Sequence, residues 1–339
     1  MRQNLLAPAR EMPSFARMAF PRFLPALLLV AVASVPAARA FTSSRIYKGV
    51  IVMEASSGRV LFEDRADEES PPASMTKLMT FAVVDDLLRK GSLSLSTPVQ
   101  VDRATARVGT LRDSTSVWLR MGETYPVEEL IYAMMIQSAN DAAYALAEKA
   151  AGSIPAFVAL MNGKARSLGM VRTRFRTPNG LPVPSHRIAD GDLTTPREFA
   201  MLCRYLVLNT DVTRYTSVRT RTFGYGQRAV LVPMTNHNRL LGRVQGVDGL
   251  KTGFTTGAGF CLAATAQRHG RRVLVVMMDC PDQRSRDLKV ADFIEQAFAS
   301  MSPFGADPLP AARAGPQPAA GPAPNPDGTV INFSIPRAN

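Results

Sequence analysis

Gly259-Phe260-Cys261-Leu262-Ala263-Ala264-Thr265-Ala266-Gln267-Arg268-His269-Gly270-Arg271-Arg272-Val273-Leu274-Val275-Val276-Met277-Met278 is the stretch that decides the fold. Two apolar runs of strand length flank the dipeptide His269-Gly270, and so short a turn joins only antiparallel neighbours. Residues 247–253 form a third β-rich run just upstream. At the other end of the chain, residues 49–54 and 59–63 flank Ala55-Ser56-Ser57-Gly58 and read as a second hairpin. The middle has a different period. Residues 74–90 carry Met75, Leu78, Met79, Ala82, Val83 and Leu87 at helical spacing and stop at Gly91. Pro126 opens another helix as a first-turn proline, with Glu128 and Glu129 favouring its positive end. Further helices are expected over 141–151, 154–168, 195–208 and about 287–299. The expected fold is therefore α+β: an antiparallel sheet built from both ends of the chain, flanked by helices, with an inserted all-helical lobe. A cleft between sheet edge and lobe is the natural place for a site.

Outside that core the composition changes. Residues 1–40 hold Arg2, Arg10, Arg17 and Arg22, an apolar run from Phe23 to Val35, and Ala38-Arg39-Ala40. A basic leader, a short apolar run and a small-x-small exit describe a secretory signal peptide, with export to the periplasm or cell envelope. The run is short of the roughly 20 residues that span a bilayer. Translation starting at Met12 or Met18 would shorten the basic leader. The leader's five Arg and one Glu hold +4 of the formal +12, leaving a dispersed +8. No Lys/Arg block marks a nucleic-acid footprint. From 301 to 339 the chain is rich in Pro and Ala and reads as a disordered tail without an amphipathic membrane helix. The domain proper is expected over 41–300. Cys203, Cys261 and Cys280 are too scattered for a disulfide framework, and His186, His237 and His269 share no ligand spacing, so neither metal nor other cofactor is expected.

Three short runs carry candidate chemistry: Ser74-Met75-Thr76-Lys77, Ser138-Ala139-Asn140 and Lys251-Thr252-Gly253. S-x-x-K occurs once, about as often as chance would place it, so its position carries the weight. Ser74 lies at the mouth of a helix, with Lys77 one turn on along the same face. The positive helix end and burial both disfavour an ammonium ion, turning Lys77 into a base for the serine proton. The plainer reading of Ser74 is an N-cap, and Ser138-Ala139-Asn140 could equally cap the following helix. On a strand, alternation sends Lys251 and Gly253 to one face and Thr252 to the other, and glycine lets a substrate backbone lie close.

Taken together, in this order and on these elements, the three runs resemble those of the serine penicillin-recognising enzymes. The surrounding residues, 72–80, 136–143, 238–242 and 246–255, are similar to the low-molecular-mass D-alanyl-D-alanine carboxypeptidases of the penicillin-binding-protein 5 type, peptidase family S11. That resemblance implies the transpeptidase/β-lactamase fold and removal of the terminal D-alanine from peptidoglycan stem pentapeptides through a Ser74 acyl-enzyme. It implies Lys77 as base, Ser138 as proton relay to the leaving amine, and Asn140 orienting Lys77 and the substrate amide. Lys251 would keep the site positive, Thr252 and Gly253 would bind substrate, and Arg286 would assist in holding the carboxylate. The backbone N–H groups of Ser74 and Phe254 would form the oxyanion hole, and β-lactams would be covalent inhibitors. A class A β-lactamase shares the runs but needs a glutamate before Thr194-Thr195-Pro196, and residues 169–188 contain no Asp or Glu. An endopeptidase cutting D-alanyl cross-links would use the same runs. A catalytically silent wall-binding protein is a third reading, though it would not need Ser74, Lys77, Asn140 and Lys251 all kept.

Overall fold

The computed structural model describes residues 46–111 and 114–301. The expected signal peptide and the Pro/Ala-rich tail lie outside the described residues.

Two hairpins from opposite ends of the chain merge into one sheet. β1 (Gly49–Glu54) pairs with β2 (Val60–Asp64), and on its other side with β9 (Arg271–Cys280). β9 pairs with β8 (Gly259–Arg268), and β8 with β7 (Val247–Thr255), every neighbour antiparallel, in the order β2-β1-β9-β8-β7. The run Val273–Met278 is apolar without a break because β9 is central and buries both faces. Leu274, Val276 and Met278 join the core beneath the inserted lobe, while Val273, Val275 and Met277 face α8 (Gln283–Ser300). α8 begins four residues before the expected start, because Asp282 caps it by accepting from Ser285 N at 2.8 Å.

Between β2 and β7 the chain builds α1 (Lys77–Arg89), β3 (Pro98–Gln100), α2 (Arg103–Gly109) and β4 (Thr124–Pro126). α3 (Val127–Tyr132), α4 (Asn140–Ala151) and α5 (Ile154–Ser167) follow, then α6 (Pro196–Asn209), α7 (Val212–Thr216), β5 (Thr220–Phe223) and β6 (Val232–Thr235). The expectation of an all-helical lobe is corrected: β3–β4 and β5–β6 are two-stranded ribbons. Strands of three and four residues are too short to leave a legible alternation. Pro126 is likewise the last residue of β4 and the N-cap of α3 rather than its first turn. The three cysteines are buried and free.

Candidate active site

Ser74 sits inside a 3₁₀ turn, Ala73–Thr76, that leads into α1. Neither Pro72 nor Thr76, the residues at the N-cap positions of the turn and the helix, caps with a side chain, and Ser74 is not an N-cap. The turn is wedged in place by two glycines. A Cβ on Gly180 (φ +81°) would lie 1.9 Å from Ala73 O, and one on Gly253 would lie 2.5 Å from Pro72 O. Gly253 thus lets the nucleophile turn approach the strand, a reason for glycine that the sequence did not show.

Lys77 is the first residue of α1 and fully buried. Its Nζ lies 2.9 Å from Ser74 Oγ, 2.7 Å from Asn140 Oδ1 and 2.7 Å from the Asn179 carbonyl oxygen. Burial holds its pKa well below the ordinary lysine value, with the charge of Lys251 adding to the effect and Asp141 and Asp192 opposing it. Burial therefore does what the sequence reading had assigned partly to the helix end. Asn140 Nδ2 donates to Ser114 Oγ at 2.9 Å, which turns the amide oxygen toward Lys77. A neutral amine has two N–H groups and one lone pair. Asn140 Oδ1 and Asn179 O can only accept, so they take the two N–H groups and leave the lone pair facing the Ser74 hydroxyl. The geometry suits proton abstraction from Ser74.

Ser138 closes a π-turn, Ala133–Gln137, in the left-handed conformation (φ +63°) and lines the same cleft as Ser74. The N-cap of α4 is Ala139, without a side-chain bond, so neither Ser138 nor Asn140 is spent on capping. This segment is sewn to residues 114–119: Asn140 N donates to Thr115 O at 2.8 Å, and Asp141 accepts from the N–H groups of Val117 and Leu119 at 3.3 and 3.0 Å.

β7 is the edge strand that forms the opposite wall. Thr252, Gly253 and the half-exposed Phe254 line the cleft, with the Phe254 ring stacked on Phe260 at 4.2 Å. Lys251 is buried, donates to Thr252 O at 3.2 Å, and has its pKa lowered to about 7 by burial and by Arg286. Arg286 is buried in the second turn of α8 and lines the cleft, whereas Arg284 is exposed. The Arg286 guanidinium is held by Asp287 Oδ1 at 2.7 and 3.0 Å and by Cys261 O at 3.1 Å.

Four residues of the site escaped the sequence reading. Asn179 supplies a carbonyl to Lys77, and its Asn-Gly pair is a turn signal that could have flagged it. Ser114 fixes the Asn140 amide. Asp192 is buried and ties residue 76 to residues 176–177, accepting from Thr76 Oγ1 (2.8 Å), Arg176 N (2.6 Å), Thr177 N (3.0 Å) and Thr177 Oγ1 (3.1 Å). His237 lines the cleft with its pKa pushed down to about 4 by burial and then by Lys251, Lys77, Arg286 and Arg239. Glu198, the next acid along, is engaged by Arg172 N and Thr173 Oγ1, so neither acid is spare for a deacylating water.

Comparison with known proteins agrees with this architecture. The family model described as D-alanyl-D-alanine carboxypeptidase, Peptidase_S11, matches residues 39–282. The chain is 36% identical over 239 residues to the D-alanyl-D-alanine carboxypeptidase DacC of Escherichia coli, covering 70% of this chain and 57% of that one. It is 32% identical over 257 residues to DacF of Bacillus subtilis, covering 74% and 62%. The chain thus spans about three fifths of the length of these curated relatives. Penicillin-binding protein D2 of Listeria monocytogenes, solved in an ampicillin-bound form, superposes with a TM-score of 0.66 at 31% identity, over 76% of this chain and 99% of that one.

Proposed function

Because the chain belongs to the D-alanyl-D-alanine carboxypeptidase family, Peptidase_S11, we propose that it is a serine-type D-Ala-D-Ala carboxypeptidase. Its substrates are peptidoglycan stem peptides, and it works in the cell envelope after export. One observation carries the reading: a buried Lys77 whose two acceptor neighbours, Asn140 Oδ1 and Asn179 O, leave its lone pair only Ser74 Oγ.

In this mechanism Lys77 takes the Ser74 proton as Oγ attacks the carbonyl carbon of the penultimate D-alanine. The negative oxygen of the tetrahedral intermediate is held by the N–H groups of Ser74 and Phe254, each such donor being worth about 3–4 kcal/mol at the transition state. The C–N bond breaks as the amine gains a proton, relayed through Ser138, and D-alanine leaves. Thr252, Gly253 and Arg286 receive its carboxylate in the field of Lys251. Water then attacks the ester, with Lys77 again as base, and Ser74 regains its proton. Asn140 orients Lys77 and the substrate amide throughout. A β-lactam enters the same first step, but its ring-opened leaving group stays attached. That retained group occupies the path by which water would reach the ester, so Lys77 finds no water to activate and the acyl-enzyme persists.

The test is D-alanine release from a peptide ending in D-Ala-D-Ala, comparing wild type with Ser74→Ala. Release should vanish in the variant together with the covalent penicillin adduct detected by intact mass. A wild type that folds and binds penicillin yet releases no D-alanine would overturn the carboxypeptidase reading.

A further inference from the structure

The cleft carries more positive charge than one terminal carboxylate requires. Beyond Arg286 and the buried Lys251 behind Thr252, the cleft is lined by Arg219, Arg239 and Arg243, and among the described residues that lining has no Asp or Glu. Neighbouring arginines behave differently. Arg221, on β5, pairs with Glu129 at 2.8 Å, and Arg228, between β5 and β6, pairs with Glu123 at 3.1 Å. Arg219, Arg239 and Arg243 have no carboxylate partner among the described residues. They are gathered rather than scattered. The Arg219 guanidinium packs over Gly242, where an added Cβ would stand 3.0 Å from Nη1 and 3.2 Å from Cζ. Arg239, two residues from His237, lines the same cleft as His237 and Arg286.

We propose that Arg219, Arg239 and Arg243 form a subsite for a second anionic group on the leaving half of the substrate. The subsite takes a peptide in which the amide cut by Ser74 joins D-alanine to a released segment longer than one residue and bearing a further carboxylate. Two lines support it. The cavity is about 800 Å³, a size that encloses a ligand of drug dimensions and far more than a single alanine. Arginine forks match carboxylates in a bidentate manner, and unpaired ones lining a concave wall concentrate the field there. The inference rests on the peptidase reading of Ser74 and Lys77 and extends it on the leaving-group side. The step is unchanged: the C–N bond to the longer segment breaks, and its amine takes the relayed proton.

The experiment uses two defined cross-linked peptides that differ only in the leaving segment, one with a free distal carboxylate and one with that carboxylate amidated. Each is given to wild type and to the Arg219→Ala/Arg239→Ala/Arg243→Ala variant. Wild type should cleave the carboxylate form about tenfold faster in kcat/KM, the scale of one charge-assisted hydrogen bond, and the variant should show a ratio near one. Stoichiometric penicillin labelling of Ser74 checks that the variant has folded. If the triple variant does not fold, Arg239→Ala alone should still reduce the ratio. Wild type indifferent to amidation, or a ratio unchanged in a folded variant, overturns the subsite. D-alanine release from a linear pentapeptide without cleavage of either cross-linked peptide overturns it as well, while leaving the carboxypeptidase reading intact. Penicillin labelling with no cleavage of any of the three peptides overturns the peptidase reading beneath it.

Discussion

The centre of the cleft and its arginine wall follow opposite rules. At the centre, Lys77 Nζ has three partners within 2.9 Å, Asn140 uses both ends of its amide, and Asp192 accepts four hydrogen bonds. Along the wall, Arg219, Arg239 and Arg243 stand exposed in the cleft with no carboxylate partner among the described residues. A saturated network holds its members in one geometry, so any single loss is felt by the rest. Unsaturated side chains hold nothing in the free protein and act only when a ligand arrives. The difference separates residues that shape the chemistry from residues that select what undergoes it.

That contrast can be broken most decisively at its centre. Lys77→Ala should slow penicillin acylation by about 10⁴, the upper range for a general base, measured as the second-order rate of adduct formation. Asn140→Ala frees one N–H of Lys77 and should cost about 10² in the same assay. One layer out, Asp192→Ala strands the amides of Arg176 and Thr177 and should lower unfolding free energy by roughly 3 kcal/mol, read from urea denaturation. Asp192→Asn should recover part of that loss. If Asp192→Ala unfolds like wild type, the centre is less tightly coupled than described.

The pH dependence sharpens the same contrast. Lys77 must be neutral to act, and its folded pKa is depressed, so kcat/KM should climb with pH on the acid side as its proton leaves. Lys251 must be charged to meet a carboxylate, and its pKa is lowered to about 7, so kcat/KM should decline as pH rises past that point. Lys251→Arg, charged at every pH, should flatten the alkaline limb even at reduced activity. Smallest of all, single alanine replacements of the three wall arginines should leave stability within about 0.5 kcal/mol of wild type, checked by the same urea titration. A larger shift would mean that the wall is part of the scaffold.

Much of this was legible in the sequence because it depends on local pattern. The strand runs, the hairpin at His269-Gly270 and the helices after Ser74, Asn140 and Pro196 all follow from period and punctuation. The three chemical runs were found as sequence neighbours, and the structure brings Ser74, Lys77 and Asn140 into contact. What sequence withheld is whatever depends on packing between distant segments. Asn179 contributes a backbone atom, which any residue could supply, and Asp192 reaches Thr76 across 116 positions. Likewise, nothing local separates Arg219 from Arg221, since only the position of Glu129 decides which of them is paired.

The sheet that joins the two chain ends has a consequence for how this protein comes into being. β1 cannot find its central neighbour until the segment around residues 273–278 exists, more than 200 residues later. Such long loops make closure slow compared with folds built from local contacts. A nascent chain therefore stays open through most of its synthesis, with the lobe helices able to form before the strand edges are covered. The same delay leaves β1 exposed to mispairing with other chains. Refolding yield should accordingly fall with rising protein concentration, while variants cut short before β9 should accumulate without a closed sheet.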